Sequence, residues 1–187
     1  MITKKSVLVT GGAGGMGLAT AFKLSQNGFH VFVADTNMAM IKNIELNDAI
    51  TPLLMDVTDR KSIERAFNEV KSQTDSLAGI VNFAGILRVG SISEMPEEML
   101  SQLLDINVMG TYRVNQIFLP LLNTDSKGRI INVSSETGWQ SGGPFNGAYA
   151  MSKHAIEAYS DSLRRELMFL GISVIKLQPG PFKTNMV

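Results

Sequence analysis

The sequence contains no cysteine and only two histidines, His30 and His154, among its 187 residues. Without thiols it can form neither disulfides nor thiolate metal sites, and two histidines argue against a histidine-based metal site. Lys+Arg and Asp+Glu both number 17, so the basic excess typical of nucleic-acid-binding proteins is also absent. We therefore predict no metal centre and no nucleic-acid partner.

Long hydrophobic runs are lacking as well. The N-terminal segment MITKKSVLVTGG has only a short apolar run before its glycines, which does not fit a signal peptide. No stretch approaches the roughly 18 apolar residues that a membrane span needs. With 44% hydrophobic and 18% charged residues, the composition is that of an ordinary globular protein. We expect a cytoplasmic protein without membrane association, with residues 1–187 forming a single domain.

Short, nearly continuous apolar runs alternate with amphipathic stretches along the chain. Such runs are typical of parallel strands covered on both faces, and the amphipathic stretches predict connecting helices. This alternation predicts a three-layer α/β fold, a doubly wound parallel sheet of the Rossmann type in the order 3-2-1-4-5-6. The predicted strands are Ser6–Thr10, His30–Ala34, Thr51–Met55, Leu77–Asn82, Arg129–Ser134 and Ile172–Gln178.

A glycine-rich segment, TGGAGGMG at residues 10–17, follows the first predicted strand and precedes a predicted helix, Leu18–Gln26. It matches both the G-x-G-x-x-G pattern and the T-G-x-x-x-G-x-G pattern. Glycines in this position allow a tight turn and let the backbone approach a pyrophosphate at the helix N-terminus. A simple structural turn is the alternative interpretation. The candidate cofactor-binding residues here are Gly11, Gly15, Met16 and Gly17.

Asp35 ends the second predicted strand, 18 residues after Gly17. A carboxylate at this point can accept hydrogen bonds from both adenosine ribose hydroxyls and would repel a 2′-phosphate. No Lys or Arg occupies residues 12–14 or 36–37 to offset that repulsion. We therefore predict NAD(H) rather than NADP(H) as the cofactor, the alternative being an Asp that only caps a turn.

Two further segments follow predicted strands and are expected near the cofactor's adenine and ribose. Asp56 and Val57 follow the third strand, and the sequence Asn82-Phe83-Ala84-Gly85 follows the fourth. Each segment also fits an ordinary turn at a strand end. The candidate residues are Asp56, Val57, Asn82, Ala84 and Gly85.

Tyr149 and Lys153 lie four residues apart at the start of a helical segment, so their side chains share one face. A nearby ammonium would lower the phenol pKa from about 10 and make the pair a workable acid/base unit. By itself the spacing also fits the surface of an amphipathic helix. Ser135, or alternatively Ser134, ends the fifth strand facing the same crevice, and Asn107 interrupts an apolar helical stretch.

In sequence order, these motifs resemble those of the short-chain dehydrogenase/reductase family: TGxxxGxG, NNAG (here NFAG), the helical Asn, the Ser, YxxxK and PG. The resemblance implies hydride transfer between NAD(H) and an alcohol or carbonyl. It implies that Tyr149 exchanges a proton with the substrate oxygen, which Ser135 orients. Further implied roles are ribose binding and pKa lowering by Lys153, a relay water at the Asn107 backbone, and cofactor contacts by Pro179, Gly180 and Thr184.

Residues 149–184 resemble the retinol and hydroxysteroid dehydrogenase branch, which implies a bulky, apolar alcohol or ketone as substrate. The resemblance also implies a homodimer. Because family members usually continue beyond the PG motif, we expect a C-terminally truncated domain that lacks the last strand and helix. Two other functions stay open: a non-catalytic NAD(H)-binding sensor or interaction module, and epimerisation or dehydration by the same Tyr–Lys pair.

Overall fold

Six parallel strands form one sheet in the part of the chain that the structure describes. This computed structural model describes residues 2, 5–37, 39, 48–122 and 128–182. The strand order is β3-β2-β1-β4-β5-β6, which confirms the predicted doubly wound sheet. The strands are β1 (Ser6–Thr10), β2 (His30–Asp35), β3 (Ile50–Leu54), β4 (Leu77–Asn82), β5 (Arg129–Val133) and β6 (Ser173–Leu177).

Helices cover both faces of the sheet, so the fold has the three layers that the sequence predicts. A π-helical turn, Asp105–Gly110, joins two of the helices, and short 3₁₀ turns occupy Leu119–Leu121, Glu136–Gly138 and Met168–Leu170. The helices among the described residues are α1 (Gly15–Gln26), α2 (Arg60–Gln73), α3 (Glu97–Leu104), α4 (Thr111–Phe118) and α5 (Gly147–Leu167).

The core consists of two apolar layers, because successive strand residues face opposite sides of the sheet. On one side Leu8, Phe32 and Ile80 pack with residues of α2, α4 and α5. On the other side Val9 and Val33, among others, pack with α1. All five residues of β1 are buried, which explains why the central strands read as continuous apolar runs rather than as alternating ones.

The strand and helix boundaries differ only slightly from those predicted. β3 begins one residue earlier than predicted, and β6 is shorter by one residue at each end. Helix α1 begins at Gly15 rather than at Leu18, because the glycine-rich turn already forms helical hydrogen bonds: Leu18 N donates to Gly14 O at 3.1 Å. Gly15 and Gly17 are therefore part of the first helical turn.

Strand β6 forms one edge of the sheet. Val174 and Lys176 face α5, whereas Ile175 and Leu177 point to the other face and are 38% and 43% exposed. Within the described residues, no helix has the length and apolarity to cross a membrane.

Candidate functional site

Two cavities open along the edge of the sheet where the parallel strands end. The larger one, of about 680 Å³, has Asp35, Asp56 and Asp105 in its walls and is called the acidic cavity below. The smaller one, of about 420 Å³, has Ser135 and Tyr149 in its walls and is called the tyrosine cavity. Ligands of doubly wound sheets bind at this edge, so both cavities lie where the strand order predicts a site.

The glycine-rich turn between β1 and α1 is packed so closely that larger residues would not fit. Gly11 has a φ of 61°, and a Cβ on it would come within 2.7 Å of the Ala84 nitrogen. A Cβ on Gly17 would overlap the Gly11 carbonyl oxygen. Gly14 precedes α1 and supplies no side-chain cap, so the first N–H groups of the helix are available to an anion.

The Asp35 carboxylate is held at the end of β2 by two backbone hydrogen bonds. Its Oδ2 accepts from Ala13 N at 3.2 Å, and its Oδ1 accepts from Asn37 N at 3.1 Å. The carboxylate is therefore fixed beside the glycine-rich turn, and it lines the acidic cavity. It occupies the place where the sequence predicts recognition of a ribose.

The turn after β3 is also fixed by hydrogen bonds. Asp56 Oδ1 accepts from Thr58 N at 2.8 Å and from Thr58 Oγ1 at 2.7 Å. The Val57 carbonyl accepts from Arg113 Nη1 at 3.3 Å, and Arg113 Nη2 in turn lies 2.7 Å from Asp105 Oδ1. Both Asp56 and Val57 line the acidic cavity, as do Ala84 and Gly85.

Negative charge dominates the walls of the acidic cavity. Asp35, Asp56 and Asp105 line it, whereas its described wall residues include no Lys or Arg. Asp105 forms an ion pair with Arg113. Among the ion pairs of the described residues, none involves the carboxylates of Asp35 or Asp56. This charge distribution disfavours a phosphate group placed directly beside Asp35 and Asp56.

The side chain of Asn82 faces away from both cavities. It is buried and donates to Asn115 Oδ1 at 2.8 Å and to Asn132 Oδ1 at 2.9 Å, and it lines neither cavity. Asn132 Nδ2 donates to Ser160 Oγ at 2.9 Å and extends this buried network into α5. Buried amides need such partners, so the side chain links β4, β5 and the helices rather than facing a ligand.

Tyr149, Ser135 and Lys153 meet in the tyrosine cavity. The Ser135 hydroxyl lies close enough to the Tyr149 phenol to influence its pKa, and Lys153 Nζ lies 5.5 Å from the centroid of the Tyr149 ring. Burial raises the Tyr149 pKa above its usual value, and the Ser135 hydroxyl opposes that rise only in part. The phenol is therefore protonated at neutral pH.

Lys153 is almost completely buried at the end of β5. Its Nζ donates to the Val133 carbonyl at 2.8 Å, and burial lowers its pKa from 10.5 to about 8. An ammonium with few polar partners is costly to keep charged in this environment. The amine nevertheless carries a proton at pH 7, and it lies beside the phenol on the same face of α5.

Asn107 lies in the π-helical turn, and its side chain lines neither cavity. Its Oδ1 accepts from Ile86 N at 2.8 Å, while its Nδ2 donates to Ile86 O at 3.0 Å and to Ser152 Oγ at 3.1 Å. Its carbonyl oxygen accepts from Thr111 Oγ1 at 3.0 Å. The side chain thus ties the segment after β4 to α5.

The remaining predicted residues divide between the cavity walls and their surroundings. Met16, Pro179 and Gly180 line the tyrosine cavity, and Gly11 lines the acidic cavity, whereas Gly15 and Gly17 lie on neither wall. Thr184 lies outside the described residues. The part of the chain described by the structure contains no cluster of His, Cys, Asp and Glu that could hold a metal ion.

Several cavity-lining residues were not predicted from the sequence. Asp105 and Glu136 each line a cavity, and Phe83, which departs from the motif, lines the tyrosine cavity with Phe182. Asp105 lies two residues before Asn107, and Glu136 directly follows Ser135. Their position next to a predicted site residue is the one feature of the sequence that could have identified them.

The family model for short chain dehydrogenases matches residues 5–187. Among curated proteins, the chain is 37% identical over 185 residues to the uncharacterized oxidoreductase YbbO of Escherichia coli K12, covering 98% of this chain and 68% of that protein. It is 36% identical over 189 residues to retinol dehydrogenase 16 of Homo sapiens, covering 96% and 57%. It also resembles a solved actinorhodin polyketide ketoreductase with NADPH, at a TM-score of 0.92 and 29% identity, covering 100% and 74%.

This chain therefore spans between 57% and 68% of the length of these two curated relatives. The similarity nevertheless extends over nearly all of the chain, from β1 to the segment after β6. It includes the glycine-rich turn and the Ser135, Tyr149 and Lys153 cluster described above. The chain belongs to the short-chain dehydrogenases, a family of oxidoreductases.

Proposed function

We propose that this protein is an NAD(H)-dependent dehydrogenase/reductase in which Tyr149 exchanges a proton with the oxygen of an alcohol or ketone. The observation that carries this proposal is the meeting of a phenol, a hydroxyl and an ammonium in one cavity at the carboxyl edge of the sheet. Tyr149, Ser135 and Lys153 supply these groups. A binding module would need neither the buried lysine nor the phenol beside it.

The described residues fit a nicotinamide cofactor. The close approach of Gly11 and Gly17 and the uncapped start of α1 leave a backbone surface for a pyrophosphate. Asp35 and the Asp56–Val57 turn would hold the adenosine half, while Met16, Lys153 and the Pro179–Gly180 segment would hold the nicotinamide half. The cofactor supplies the hydride, and the protein positions it and manages the accompanying charge.

The proton transfer follows from the pKa values of the cluster. Because the Tyr149 phenol is protonated at neutral pH, it can donate its proton to the carbonyl oxygen during reduction. The Ser135 hydroxyl, which lines the same cavity as the phenol, would hydrogen-bond the same oxygen and orient it. The Lys153 ammonium would stabilise the phenolate that remains. The Asn107 carbonyl is proposed to hold a relay water that returns a proton.

The walls of the tyrosine cavity support a bulky, apolar substrate. Phe83, Leu87, Val89 and Phe182 line it together with Met16. Trp139 and Phe145, by contrast, are 68% and 64% exposed and are not among the wall residues. One relative is named a retinol dehydrogenase, which agrees with an apolar alcohol.

The oxidation of NADH by a panel of aromatic and alicyclic ketones tests this proposal, with the absorbance of the nicotinamide ring as the measured signal. Binding of NADH without turnover of any ketone would favour the non-catalytic module instead.

We expect NADH to bind at least about tenfold more tightly than NADPH, because a 2′-phosphate would meet the carboxylates of the acidic cavity. The similar polyketide ketoreductase was solved with NADPH, so the fold alone does not decide this preference. Asp35→Ser should weaken NADH binding and reduce the difference between the NADH and NADPH affinities. Asp75→Ser is the control, because Asp75 precedes β4 at the opposite edge of the sheet, and it should change neither affinity. Calorimetry is the suitable measurement, since Trp139 lines neither cavity. Equal affinities for both cofactors in the wild type would contradict the assignment.

We expect Gly17→Ala to abolish measurable NADH binding and to destabilise the chain by about 1–3 kcal/mol, because the new methyl group would displace the Gly11 carbonyl. Gly143→Ala is the matched control, since a Cβ there has no atom within 4 Å. Thermal melting and NADH titration of both variants measure the two effects. Wild-type affinity in Gly17→Ala would show that the turn does not hold the cofactor.

A further inference from the structure

A buried carboxylate, that of Glu157, lies behind the tyrosine cavity where α5, β5 and β6 meet. Glu157 follows Lys153 by one helical turn, on the same face of α5, and it is 8% exposed. Its Oε2 accepts a hydrogen bond from Lys176 Nζ of β6 at 2.9 Å. None of the roles proposed above involves this residue.

The Glu157 carboxylate also interacts with two side chains that directly precede residues of the proposed site. Ser134 precedes Ser135, and Gln178 precedes Pro179. Burial raises the Glu157 pKa, but hydrogen bonds from Ser134, Lys176 and Gln178 and the charge of Lys176 outweigh it, so the pKa lies below its usual value. The group is therefore ionised at neutral pH.

The surroundings of Glu157 leave little room for rearrangement. The Ser134 hydroxyl lies 3.4 Å from the Lys153 carbonyl, and Gly138, in the turn that begins after Ser135, is packed against Ser134 and Glu157. A Cβ on Gly138 would lie 3.3 Å from Glu157 Cγ and would overlap Ser134 Oγ. The carboxylate thus contacts the elements that carry the serine, the Tyr–Lys pair and the PG segment.

Not every oxygen of this carboxylate is well paired. Oε1 is buried and has no hydrogen bond of regular geometry among the described residues, so the Ser134 and Gln178 contacts are long or bent. A buried polar atom in this state costs about 1–3 kcal/mol.

We propose that Glu157 is a positioning residue, which through Ser134 and Gln178 fixes Ser135 and the Pro179–Gly180 segment relative to Tyr149 and Lys153. This inference rests on the proposed function, because it assigns Glu157 to the same site. It differs from that function in being testable without turnover. The placement of the Ser135 hydroxyl beside the Tyr149 phenol, in the wall of the same cavity, is the geometry that Glu157 maintains.

The chain offers a matched control in Asp161. Lys176 Nζ lies 2.9 Å from Asp161 as well as from Glu157, so both carboxylates neutralise the same lysine. Asp161 is on the exposed side, and its pKa is lowered by the hydrogen bond from Lys176 and by the charges of Lys176, Arg164 and Arg165. Removing either carboxylate takes the same charge from Lys176, but Glu157 is the one that reaches Ser134 and Gln178.

The experiment uses the three tyrosines of the chain, labelled with ¹³C at Cζ, as a spectroscopic readout at neutral pH. The Tyr149 resonance, assigned from the Tyr149→Phe spectrum, reports the surroundings of the phenol, and Ser135→Ala gives its position without the neighbouring serine hydroxyl. We expect Glu157→Ala to move the Tyr149 resonance towards the Ser135→Ala position. Asp161→Ala should leave the Tyr149 resonance at the wild-type position. Glu157→Gln, which keeps the polar contacts, should bring the resonance most of the way back to that position.

Turnover gives a second readout. Glu157→Ala should lower kcat about tenfold or more at a temperature well below its melting point, while Asp161→Ala stays within about twofold of the wild type. A Tyr149 resonance unchanged in Glu157→Ala would overturn the inference. If Glu157→Ala does not fold, Ser134→Ala must move the Tyr149 resonance in the same direction. An unchanged resonance in Ser134→Ala would then overturn the inference. A wild type without turnover would contradict the proposed function alone, because the spectra still test the positioning.

Discussion

Replacement of Tyr149 by phenylalanine should lower turnover by about 10²–10⁴-fold, the usual contribution of a positioned acid or base. The substitution removes only the phenolic hydroxyl, so the ring can still pack in the tyrosine cavity beside Lys153. The Ser135 hydroxyl loses the neighbouring phenolic hydroxyl, but no charged group is left unpaired. NADH affinity should therefore change by no more than about threefold, which places the effect on kcat rather than on cofactor binding.

Tyr112→Phe is the control for this variant. Tyr112 lies on α4, is 39% exposed, and its hydroxyl accepts a hydrogen bond from Gln116 at the surface. We expect wild-type turnover from it. Steady-state kinetics with the best ketone, together with calorimetric NADH titration, measure both variants. Turnover above about a tenth of the wild-type rate in Tyr149→Phe would exclude the phenol as the essential proton donor. Ser135 or a bound water would then be the alternative proton donor.

The fold was predictable because its signals are local and strong. The buried central strands have nearly continuous apolar runs, and the helix α2 shows Ile63, Ala66 and Val70 at helical spacing, all of them buried. Right-handed crossovers then leave few possible strand orders. The exact ends of the elements were less predictable, since the first turn of α1 is formed by glycines, which carry no helical signal in the sequence.

The site was predictable where a residue's position follows from its place at a strand end or on a helix face. Asp35, Ser135, Tyr149 and Lys153 all line cavities at the predicted edge. The direction of the Asn82 side chain, by contrast, could not be predicted, because it depends on Asn115 and Asn132, which are distant in sequence and accept its hydrogen bonds. Long-range polar pairing of this kind leaves no trace in a single sequence.

The importance of Glu157 could not be seen in the sequence for the same reason. At helical spacing after Lys153 it reads as one more charged residue of an amphipathic helix. Only the pairing of β5 with β6 brings Lys176 and Gln178 to it, and only the turn after β5 adds Ser134. Sheet topology therefore converts an ordinary surface pattern into a buried polar contact between three elements.

Replacement of Lys153 by methionine should have two opposite effects, a loss of turnover and a gain in stability. The ammonium is the nearest cation to the Tyr149 phenol in the described site, so its removal leaves the phenolate without stabilisation and lowers kcat about 10²-fold or more. The buried charge, however, lowers the free energy of unfolding. The difference between a pKa of about 8 and the usual 10.5 corresponds to about 3 kcal/mol, against which the lost bond to Val133 must be set.

The pH dependence of stability separates this effect from a change in packing. Between pH 8 and 10.5 the unfolded wild-type chain binds more protons at Lys153 than the folded chain does, so wild-type stability rises with pH across that interval. Lys153→Met has no such group, and its advantage should therefore be greatest below pH 8 and should shrink as the pH approaches 10.5. Lys61→Met, at an exposed position of α2, should show neither the gain nor the pH dependence. Urea unfolding of the three proteins at pH 7 and pH 10 measures this, and a constant difference between the two pH values would mean that Lys153 is not a strained, buried cation.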